Sequence, residues 1–314
     1  MKFKDIKKVT AFAPATVANV AVGFDILGFA VDDIGDYVTL VKRDDDQLII
    51  RSIEGVDGLP FEPDKNVVSA SIKKVLSDYN YIAGFDIVIK KGIPLGSGMG
   101  GSAASTVAGL VAFNQFLETP LSKEELVPYT MFGEEIATGH AHSDNVVPSL
   151  YGGLTLTQSA NPVKIVELPV NRSFHAVVFH PEIRIDTKLA RSILKSSLPL
   201  KDFVRQSANL AGFISGLYLN DLSLIRSSLN DELIEPHRSL LIPEFQAFKG
   251  IAKSEGALGC SISGSGPTIF ALAESKIVGE KIQLALNKHA ESVGIKTQSW
   301  VCSIRTEPAV VIDN

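Results

Sequence analysis

A glycine-rich segment constrains this chain more than any other feature. Residues 94–105 read Pro-Leu-Gly-Ser-Gly-Met-Gly-Gly-Ser-Ala-Ala-Ser, so four of the six positions from Gly96 to Gly101 are glycine. Glycine adopts positive φ without the penalty that a Cβ imposes, which lets successive backbone N–H groups point toward one centre. A following helix adds the unpaired amides and the positive dipole end of its first turn. The segment therefore predicts a cradle for a phosphate or another anion.

The sequence on both sides of the segment supports this interpretation. Phe85, Ile87 and Ile89 alternate with polar positions, as in a strand, and Pro94 ends that pattern. After the glycines, apolar residues recur at helical spacing, and Ser102 stands where a residue could cap the helix. Strand, glycine loop and helix N-terminus thus follow in the order that phosphate binding needs. The alternative is a simple glycine-rich turn before a buried helix.

Several common nucleotide-binding motifs do not match the segment. Gly96, Gly98 and Gly101 have the spacing of a dinucleotide-binding loop, and Glu118 lies at a suitable distance. However, the preceding strand alternates and ends in lysines, whereas that fold needs a strand buried throughout. A Walker loop needs Lys and then Ser or Thr after its last glycine, where this chain has Ser-Ala. Protein-kinase signatures such as His-Arg-Asp and Asp-Phe-Gly are absent from the sequence. The loop is expected to belong to another nucleotide-binding class.

Composition and charge limit the class of protein further. A chain of 314 residues, 45% apolar and 21% charged, predicts about two domains with sizeable cores. A net charge of −5, with lysines and arginines scattered among acids, argues against nucleic acid as a partner. Cys260 and Cys302 are too few for a disulfide framework, which favours a reducing compartment. Pro14, Asn19 and Asp25 interrupt the N-terminal apolar run, so neither a secretion signal nor a membrane span is expected, and the protein is predicted to be cytoplasmic.

Strands and helices alternate irregularly along the chain, which favours an α+β fold over a doubly wound sheet. Strands are predicted at 8–13, 37–43, 85–89, 154–156, 164–168, 175–179 and 268–273, and helices at 67–80, 102–117, 123–138 and over most of 187–253. A polar turn is predicted at 44–46, and a second glycine loop, Ser-Gly-Ser-Gly-Pro, occupies 263–267. The domain division is placed at residue 165, giving domains 1–165 and 166–314.

Three motifs together resemble a known family, the small-molecule kinases named for galactokinase, homoserine kinase, mevalonate kinase and phosphomevalonate kinase. They are Pro-Ala-Thr-Val-Ala-Asn-Val-Ala-Val-Gly-Phe-Asp at 14–25, the segment 94–105, and Gly-Cys-Ser-Ile-Ser-Gly-Ser-Gly-Pro-Thr at 259–268. Within the family, the first motif, the segment 142–148 and the pair Thr187 and Arg191 are most similar to members that phosphorylate homoserine. The family loop usually has two serines before Ala-Ala, and Gly101 replaces the first of them, which removes one hydroxyl group.

The resemblance implies a two-domain α+β kinase fold, with an N-terminal ribosomal-protein-like nucleotide-binding domain and a C-terminal ferredoxin-like domain. It implies the ATP-dependent phosphorylation of L-homoserine to O-phospho-L-homoserine, the step that commits it to threonine synthesis. Ser102 and Glu134 would act in catalysis as the ligands of Mg²⁺, a cation that prefers oxygen atoms. The adenine would lie near Asn66 and Val67. The ATP phosphates would lie along Pro94, Leu95, Gly96, Ser97, Gly98, Met99, Gly100, Gly101, Ser102 and Ala103.

The resemblance also places residues around the acceptor. Homoserine has an ammonium, a carboxylate and a hydroxyl group, so its pocket needs an acid, a cationic fork and a polar group at the reacting end. The residues implied are Asn19 and Asp25 for the ammonium, Arg191 and Arg238 for the carboxylate, and His142, Thr187 and Asn145 for the other polar atoms. Asn145 would orient the acceptor hydroxyl where relatives use an aspartate base, and the adjacent Asp144 is expected to be structural.

Other interpretations are open at this point. A related kinase for another alcohol, such as mevalonate, would share the three motifs but would not need two arginines and Asp25. A sensor that binds a sugar or nucleotide would keep the fold and lose the metal ligands, whereas Ser102 and Glu134 are both present. A dinucleotide oxidoreductase is a more distant alternative, which nicotinamide binding would reveal. The sequence leaves the oligomeric state open, with a homodimer as one possibility.

Overall fold

Two separate β-sheets organise the chain. In the computed structural model, which describes residues 3–313, seven strands form the first sheet and four form the second. The strands are β1 (Lys8–Ala18), β2 (Leu27–Arg43), β3 (Leu48–Glu54), β4 (Gly84–Lys90), β5 (Leu154–Ala160), β6 (Val163–Leu168), β7 (His175–Pro181), β8 (Gly259–Ile262), β9 (Ile269–Ala273), β10 (Thr297–Ser303) and β11 (Val310–Asp313). The helices are α1 (Val67–Asp78), α2 (Gly101–Gln115), α3 (Lys123–Thr138), α4 (Ser143–Tyr151), α5 (Thr187–Ser192), α6 (Leu200–Leu219), α7 (Leu222–Ser228), α8 (Glu235–Arg238), α9 (Phe245–Ser254) and α10 (Lys276–Ser292), with a 3₁₀ turn at Ser239–Leu241.

The first sheet is built around β2, which is long enough to pair with two different strands along the same edge. Its C-terminal part pairs antiparallel with β4 and its N-terminal part with β5, while β1 runs antiparallel along most of its length. β3 lies parallel to β4, and β6 pairs with β5. At the other edge β11 pairs antiparallel with β1. The last strand in chain order therefore completes the sheet that the first strand begins.

Helix α2 lies at the centre of the first core because it is apolar around its circumference. Every position from 103 to 114 is buried except Val111, and the helix contacts β1, β2 and the helices α1, α3 and α4. Phe113 of α2 packs edge-on against Phe85 of β4, with 5.7 Å between the ring centroids. A helix without a polar face must be surrounded by protein. Its N-terminus is therefore held in a fixed position against the sheet.

The second sheet has the strand order β10-β7-β9-β8, and all its pairs are antiparallel. If the four strands of this unit are numbered in chain order, their order in the sheet is 4-1-3-2. Along the chain the elements follow as strand, helices, strand, strand, helix and strand. This is the ferredoxin-like topology. Helix α10 packs on β7, β9 and β10, and α9 packs on β8. Phe179 and Phe248, with ring centroids 4.8 Å apart, lie in the core between the sheet and these helices. The predicted two-domain α+β fold is confirmed.

Most predicted elements are present, and the differences have local causes. β2 begins at Leu27 and not at residue 37, because Asp32 and Asp33 interrupt its apolar pattern although the backbone stays extended. Neither β3 nor α4 was predicted, and α4 contains Pro148, a residue that usually ends a helix. In the described part of the chain, no helix is both long and apolar enough to cross a membrane.

The division predicted at residue 165 falls inside β6, which pairs with β5 of the first sheet. β11 also belongs to this sheet although it follows the whole second unit. The position of the boundary therefore stays a prediction. The strand pairing supports a proposal in which the first domain includes residues up to 168 together with 310–313.

Replacing Gly28 by alanine tests the close approach of β2 to α4. A Cβ on Gly28 would lie 1.8 Å from the carbonyl oxygen of Asp144, so the strand and the helix would have to separate. We expect Gly28→Ala to lower the free energy of unfolding by about 1 to 3 kcal/mol, as overpacking usually does. Urea denaturation measures this value. Gly250→Ala in α9, where nothing lies within 4 Å of an added Cβ, is the matched control and should be neutral or stabilising by up to about 1 kcal/mol. Equal losses in both variants would contradict the packing.

Candidate active site

The first glycine loop, residues 91–100, joins β4 to α2 and presents its backbone N–H groups. Gly96, Gly98 and Gly100 have φ values of 63°, 79° and 71°, the left-handed conformation that glycine permits. Within the described part of the chain, no backbone N–H from residue 95 to 103 donates to another group. The loop residues line a cavity, so these amides are available to a ligand in it. This arrangement matches the predicted anion cradle.

The prediction that Ser102 caps α2 is wrong. The helix begins before it, and the Ser102 hydroxyl donates instead to Oε2 of Glu134 at 2.6 Å. The N-cap is Gly100. A Cβ on Gly100 would lie 2.2 Å from Thr16 Oγ1 and 2.8 Å from Asn145 Oδ1. Glycine is needed here because the loop closely approaches two other segments of the site.

A buried ion pair beneath the loop was not predicted. Lys91 Nζ pairs with the carboxylate of Asp36 and also donates to the carbonyl oxygen of Gly101 at 2.7 Å and to Ser105 Oγ at 2.9 Å. Asp36 Oδ1 accepts the backbone N–H of Gly92 at 3.0 Å. Lys91 is one of the two lysines that argue against a strand of the dinucleotide-binding type, and its charge is satisfied inside the protein. The network connects β2, the loop and the first turn of α2.

The second glycine loop, residues 263–267, packs directly on the first. Ser263 Oγ donates to the carbonyl oxygen of Gly98 at 2.7 Å. The backbone N–H of Thr268, just after this loop, donates to the carbonyl oxygen of Ser97 at 3.1 Å. A Cβ on Gly98 would lie 2.5 Å from the carbonyl oxygen of Ser263. The contact brings the ferredoxin-like unit against the phosphate cradle.

A cavity of about 400 Å³ lies at this junction. Every residue that the sequence analysis predicted for ATP, metal or substrate lines it, except Met99 and Ala103. The side chains of these two residues are buried in the hydrophobic core, so they could contact a ligand only through their backbone N–H groups. That they bind ATP stays a prediction.

One part of the cavity is apolar and lined by Leu59, Pro60 and Val67. The neighbouring Asn66 is buried, and its side chain accepts the N–H of Val68 at 3.0 Å as the N-cap of α1. Its amide nitrogen donates to the carbonyl oxygen of Pro60 at 3.0 Å. Asn66 therefore shapes this part of the cavity, because both ends of its amide already have partners. An apolar wall of this kind suits a planar base.

Glu134 of α3 is a buried carboxylate at the edge of the cavity. It is 5% exposed, and the Ser102 hydroxyl is its hydrogen-bond partner. Among residues 3–313, no lysine, arginine or histidine nitrogen lies within 4 Å of it. Burial raises the pKa of Glu134, and the bond from Ser102 opposes that shift. The two oxygen donors fit a hard divalent cation, which would supply the missing positive charge.

Two residues at the start of α4 face the cavity. Asn145 Oδ1 accepts a hydrogen bond from Thr16 Oγ1 at 2.7 Å, which leaves its amide N–H groups for a ligand. Burial raises the pKa of the Asp144 carboxyl to about 8, and the charges of Asp25 and Glu134 add to the effect. At neutral pH Asp144 is therefore mainly protonated. A group in that state does not serve as a base.

Asp25 and Arg191 bind each other at the substrate side of the cavity. Arg191 donates to both carboxylate oxygens of Asp25, at 2.9 and 3.3 Å. Its Nη1 also donates to His142 Nε2 at 2.8 Å, so that ring nitrogen carries no proton. Burial lowers the pKa of His142, although Asp25 opposes the shift. Asn19 Oδ1 accepts the N–H of Asp25 at 3.0 Å and so fixes its backbone.

Arg238 is buried without an anionic partner. Its Nε donates to the carbonyl oxygen of Ala190 at 3.1 Å and its Nη1 to that of Gly264 at 2.8 Å. The guanidinium lies 5.1 Å from the ring centroid of Phe24. No carboxylate in the described part of the chain lies within 4 Å of it. A buried charge in this state is a candidate site for an anionic ligand group.

Several site residues were not singled out from the sequence. One of them is Ser265, which lines the cavity and whose hydroxyl lies 3.3 Å from the hydroxyl of the predicted residue Thr187. Ser265, Gly264 and Thr16 all lie inside the quoted motifs, so the sequence already contained their signal. Asp144 was named as structural, and the local pattern gave no indication that it lines the cavity.

Comparison with known proteins shows the family. A model of the GHMP kinase N-terminal domain, named from the initials of the four kinases above, matches residues 66–153, and that of the GHMP kinase C-terminal domain matches residues 213–292. A homoserine kinase of Xylella fastidiosa (strain 9a5c) is 42% identical over 292 residues, covering 93% of this chain and 90% of that protein. One from Chloroherpeton thalassium is 41% identical over 319 residues, covering 98% and 100%.

A solved structure agrees. The crystal structure of homoserine kinase from Cytophaga hutchinsonii has a TM-score of 0.95 and 45% identity, covering 98% of both chains. The chain therefore belongs to the GHMP kinases and, within them, to the homoserine kinases. Use of ATP follows from membership of this family. The predicted resemblance and enzyme class are confirmed.

Asp144→Asn tests the protonation state of this buried acid. Because burial raises the folded pKa from 3.8 to about 8, the folded protein holds this proton more tightly than the unfolded chain does. The stabilisation is complete below the unfolded pKa and is lost as the pH rises toward 8. We expect the variant to show a smaller loss of unfolding free energy between pH 5 and pH 8 than the wild type, as measured by urea denaturation. The exposed Asp57→Asn variant is the control, and parallel curves for wild type and Asp144→Asn would contradict the assignment.

Proposed function

We propose that this protein transfers the γ-phosphoryl group of ATP to the hydroxyl group of L-homoserine, giving O-phospho-L-homoserine and ADP, in the cytoplasm and on the route to threonine. One observation carries the proposal: backbone amides without a protein acceptor, the buried Glu134 carboxylate with its Ser102 partner, and an arginine without an anion line the same cavity. The names of the relatives supply homoserine as the substrate.

The phosphate half of the site consists of backbone and oxygen donors. In the proposal, N–H groups of residues 95–103 bind the phosphate oxygens, and the positive end of α2 adds to the attraction. Ser102 and Glu134 would hold Mg²⁺, which when bound neutralises charge on the phosphates. The adenine would lie on the apolar wall that includes Val67. The loop fixes the donors in place before ATP binds, so that little reorganisation is needed in the transition state.

The acceptor half of the site binds a zwitterion. Asp25, oriented by Asn19, would take the ammonium group, while Arg191 and Arg238 would take the carboxylate. Asp25 and Arg191 now bind each other, so a ligand with both charges replaces their ion pair with two new ones. A ligand with a single charge breaks the pair and leaves one half-buried partner without a counter-charge. The pair therefore selects for a ligand that carries both groups.

In the proposal, the hydroxyl group of the acceptor lies beside amide and hydroxyl groups of the protein and not beside an ionised base. Asn145 would donate an N–H to the acceptor oxygen, with His142 and Thr187 close to the remaining polar atoms. Because burial raises the pKa of Asp144 to about 8, this group is a poor base, and in the proposal the acceptor proton would pass to an oxygen of the transferring phosphoryl group. Phosphoryl transfer depends chiefly on positioning and on neutralised charge, which makes a strong base unnecessary.

A panel of acceptors tests the proposed substrate. With saturating MgATP we expect the highest kcat/KM with L-homoserine, measured as ADP formation with phosphorus NMR of the product. 3-Aminopropan-1-ol lacks the carboxylate and 4-hydroxybutyrate lacks the ammonium, so each should lose about tenfold or more through lost charge-assisted hydrogen bonds. Arg191→Ala should weaken turnover of homoserine much more than that of 3-aminopropan-1-ol. Faster turnover of mevalonate or galactose than of homoserine would overturn the assignment.

Glu134→Gln tests the metal ligand. The change keeps the shape and the bond from Ser102 but removes the negative charge, so turnover should fall by roughly 10² or more. Glu135→Gln, an exposed neighbour on the same helix, is the control and should retain wild-type turnover. Both variants should keep the wild-type far-UV circular dichroism. Wild-type turnover of Glu134→Gln across a magnesium titration would show that Glu134 is not a ligand.

A further inference from the structure

Four buried charged residues form a cluster behind the acceptor half of the cavity. They are Asp231, Glu235, Lys249 and Arg238, of which only Arg238 has a place in the proposed function. The cluster contains two acids and two cations, so it is electrically balanced. Its parts come from the short helix α8, the segment before it and helix α9. Which of these charges pair with each other determines the direction in which the Arg238 guanidinium points.

Helix α8 is a single turn, which is too short to be stable without contacts to the rest of the protein. The carboxylate of Asp231 accepts the backbone N–H groups of Leu233, Ile234 and Glu235 at 2.9, 3.0 and 2.8 Å. This carboxylate is therefore committed to the backbone and fixes the start of the turn. Arg238 is the last residue of the same turn, so its direction depends on how the turn is held.

Glu235 is held from two other elements. One of its oxygens pairs with Lys249 Nζ of α9, and the other accepts the Ser261 hydroxyl of β8 at 2.6 Å. Glu235 and Arg238, three residues apart, lie on the same side of α8. Both line a small cavity of about 10 Å³ with Asp231 and Ser261. The carboxylate of Glu235 and the guanidinium of Arg238 thus belong to the lining of one small cavity.

The observed arrangement keeps two opposite charges apart although they are neighbours. Arg238 points to the carbonyl groups of Ala190 and Gly264 and not to Glu235. Glu235 is neutralised by Lys249 instead. Without that lysine, the carboxylate of Glu235 would be a buried charge with no counter-charge, and Arg238 would be the remaining cation of the cluster that could neutralise it.

We propose that Lys249 is a positioning residue, which neutralises Glu235 so that Arg238 stays directed into the cavity and remains available to the carboxylate of the acceptor. The identity of that acceptor rests on the proposed function, but the positioning of the guanidinium does not. Loss of Lys249 alone turns Arg238 toward Glu235. Loss of both charges of the pair leaves Arg238 where it is.

The kinetic test compares Lys249→Met, the double variant Glu235→Gln/Lys249→Met, and the control Lys281→Met, a lysine exposed on the same domain and paired with Glu255 at 3.0 Å. In Lys249→Met we expect KM for homoserine to rise about tenfold, the scale of one lost charge-assisted hydrogen bond, while KM for ATP is unchanged. The double variant should recover the wild-type KM, and the control should match the wild type throughout. A merely structural role of Lys249 predicts no recovery in the double variant.

Crystal structures of the two variants without substrate provide a test that does not depend on activity. The Arg238 guanidinium should leave the carbonyl oxygen of Gly264 in Lys249→Met and keep it in the double variant. The proposal is overturned if Arg238 keeps its position in Lys249→Met, or if both variants show the same rise in KM. If Lys249→Met does not fold, the double variant decides: a raised KM for homoserine there contradicts the proposal. A wild-type protein inactive on homoserine would overturn the proposed function, and the crystal structures would still decide the role of Lys249.

Discussion

The backbone contact between the two glycine loops determines where the rest of the site can lie. Gly98 has no room for a Cβ beside the carbonyl oxygen of Ser263, and the carbonyl groups of Ser97 and Gly98 accept bonds from the second loop. The ferredoxin-like unit satisfies these carbonyls, while the N–H groups of the same loop have no protein acceptor and are left to the cavity. The anion cradle is thus a product of two units that meet, and neither glycine loop would present it alone.

The cavity contains charges that the protein leaves unbalanced. Glu134 has a hydroxyl partner and no cation, and Arg238 has carbonyl partners and no anion. Burying such groups costs free energy that the fold must supply from its two cores. The cost is offset when ligands of opposite charge bind, which couples stability to ligand concentration. Asp25 and Arg191 show the other solution, because they neutralise each other until a ligand carrying both charges arrives.

The features that could be predicted from the sequence are those that depend on residues close together along the chain. The glycine loop and the buried helix after it could be predicted because φ preferences and apolar periodicity act locally, and the three motifs could be recognised through their resemblance to a known family. The start of α2 was misplaced to Ser102 because it depends on the close approach of Gly100 to other segments. The burial of Lys91 was not predicted because its partner Asp36 lies on another strand, and pairing between distant positions is not visible in one sequence. Helix α4 was missed because Pro148 has the local signature of a break while tertiary packing keeps the helix intact.

The pairing of β11 with β1 has a consequence for the order of events during synthesis. The register places Ala11 opposite Val311, so the edge of the first sheet finds its partner only after almost all of the described chain has left the ribosome. Until then β1, which carries the start of the first motif, presents an unpaired row of backbone donors and acceptors along this edge. The ferredoxin-like unit lies between the two strands in sequence, so all of it leaves the ribosome before β11 does. The nucleotide-binding sheet, although it begins first, is the last part of the molecule to be closed.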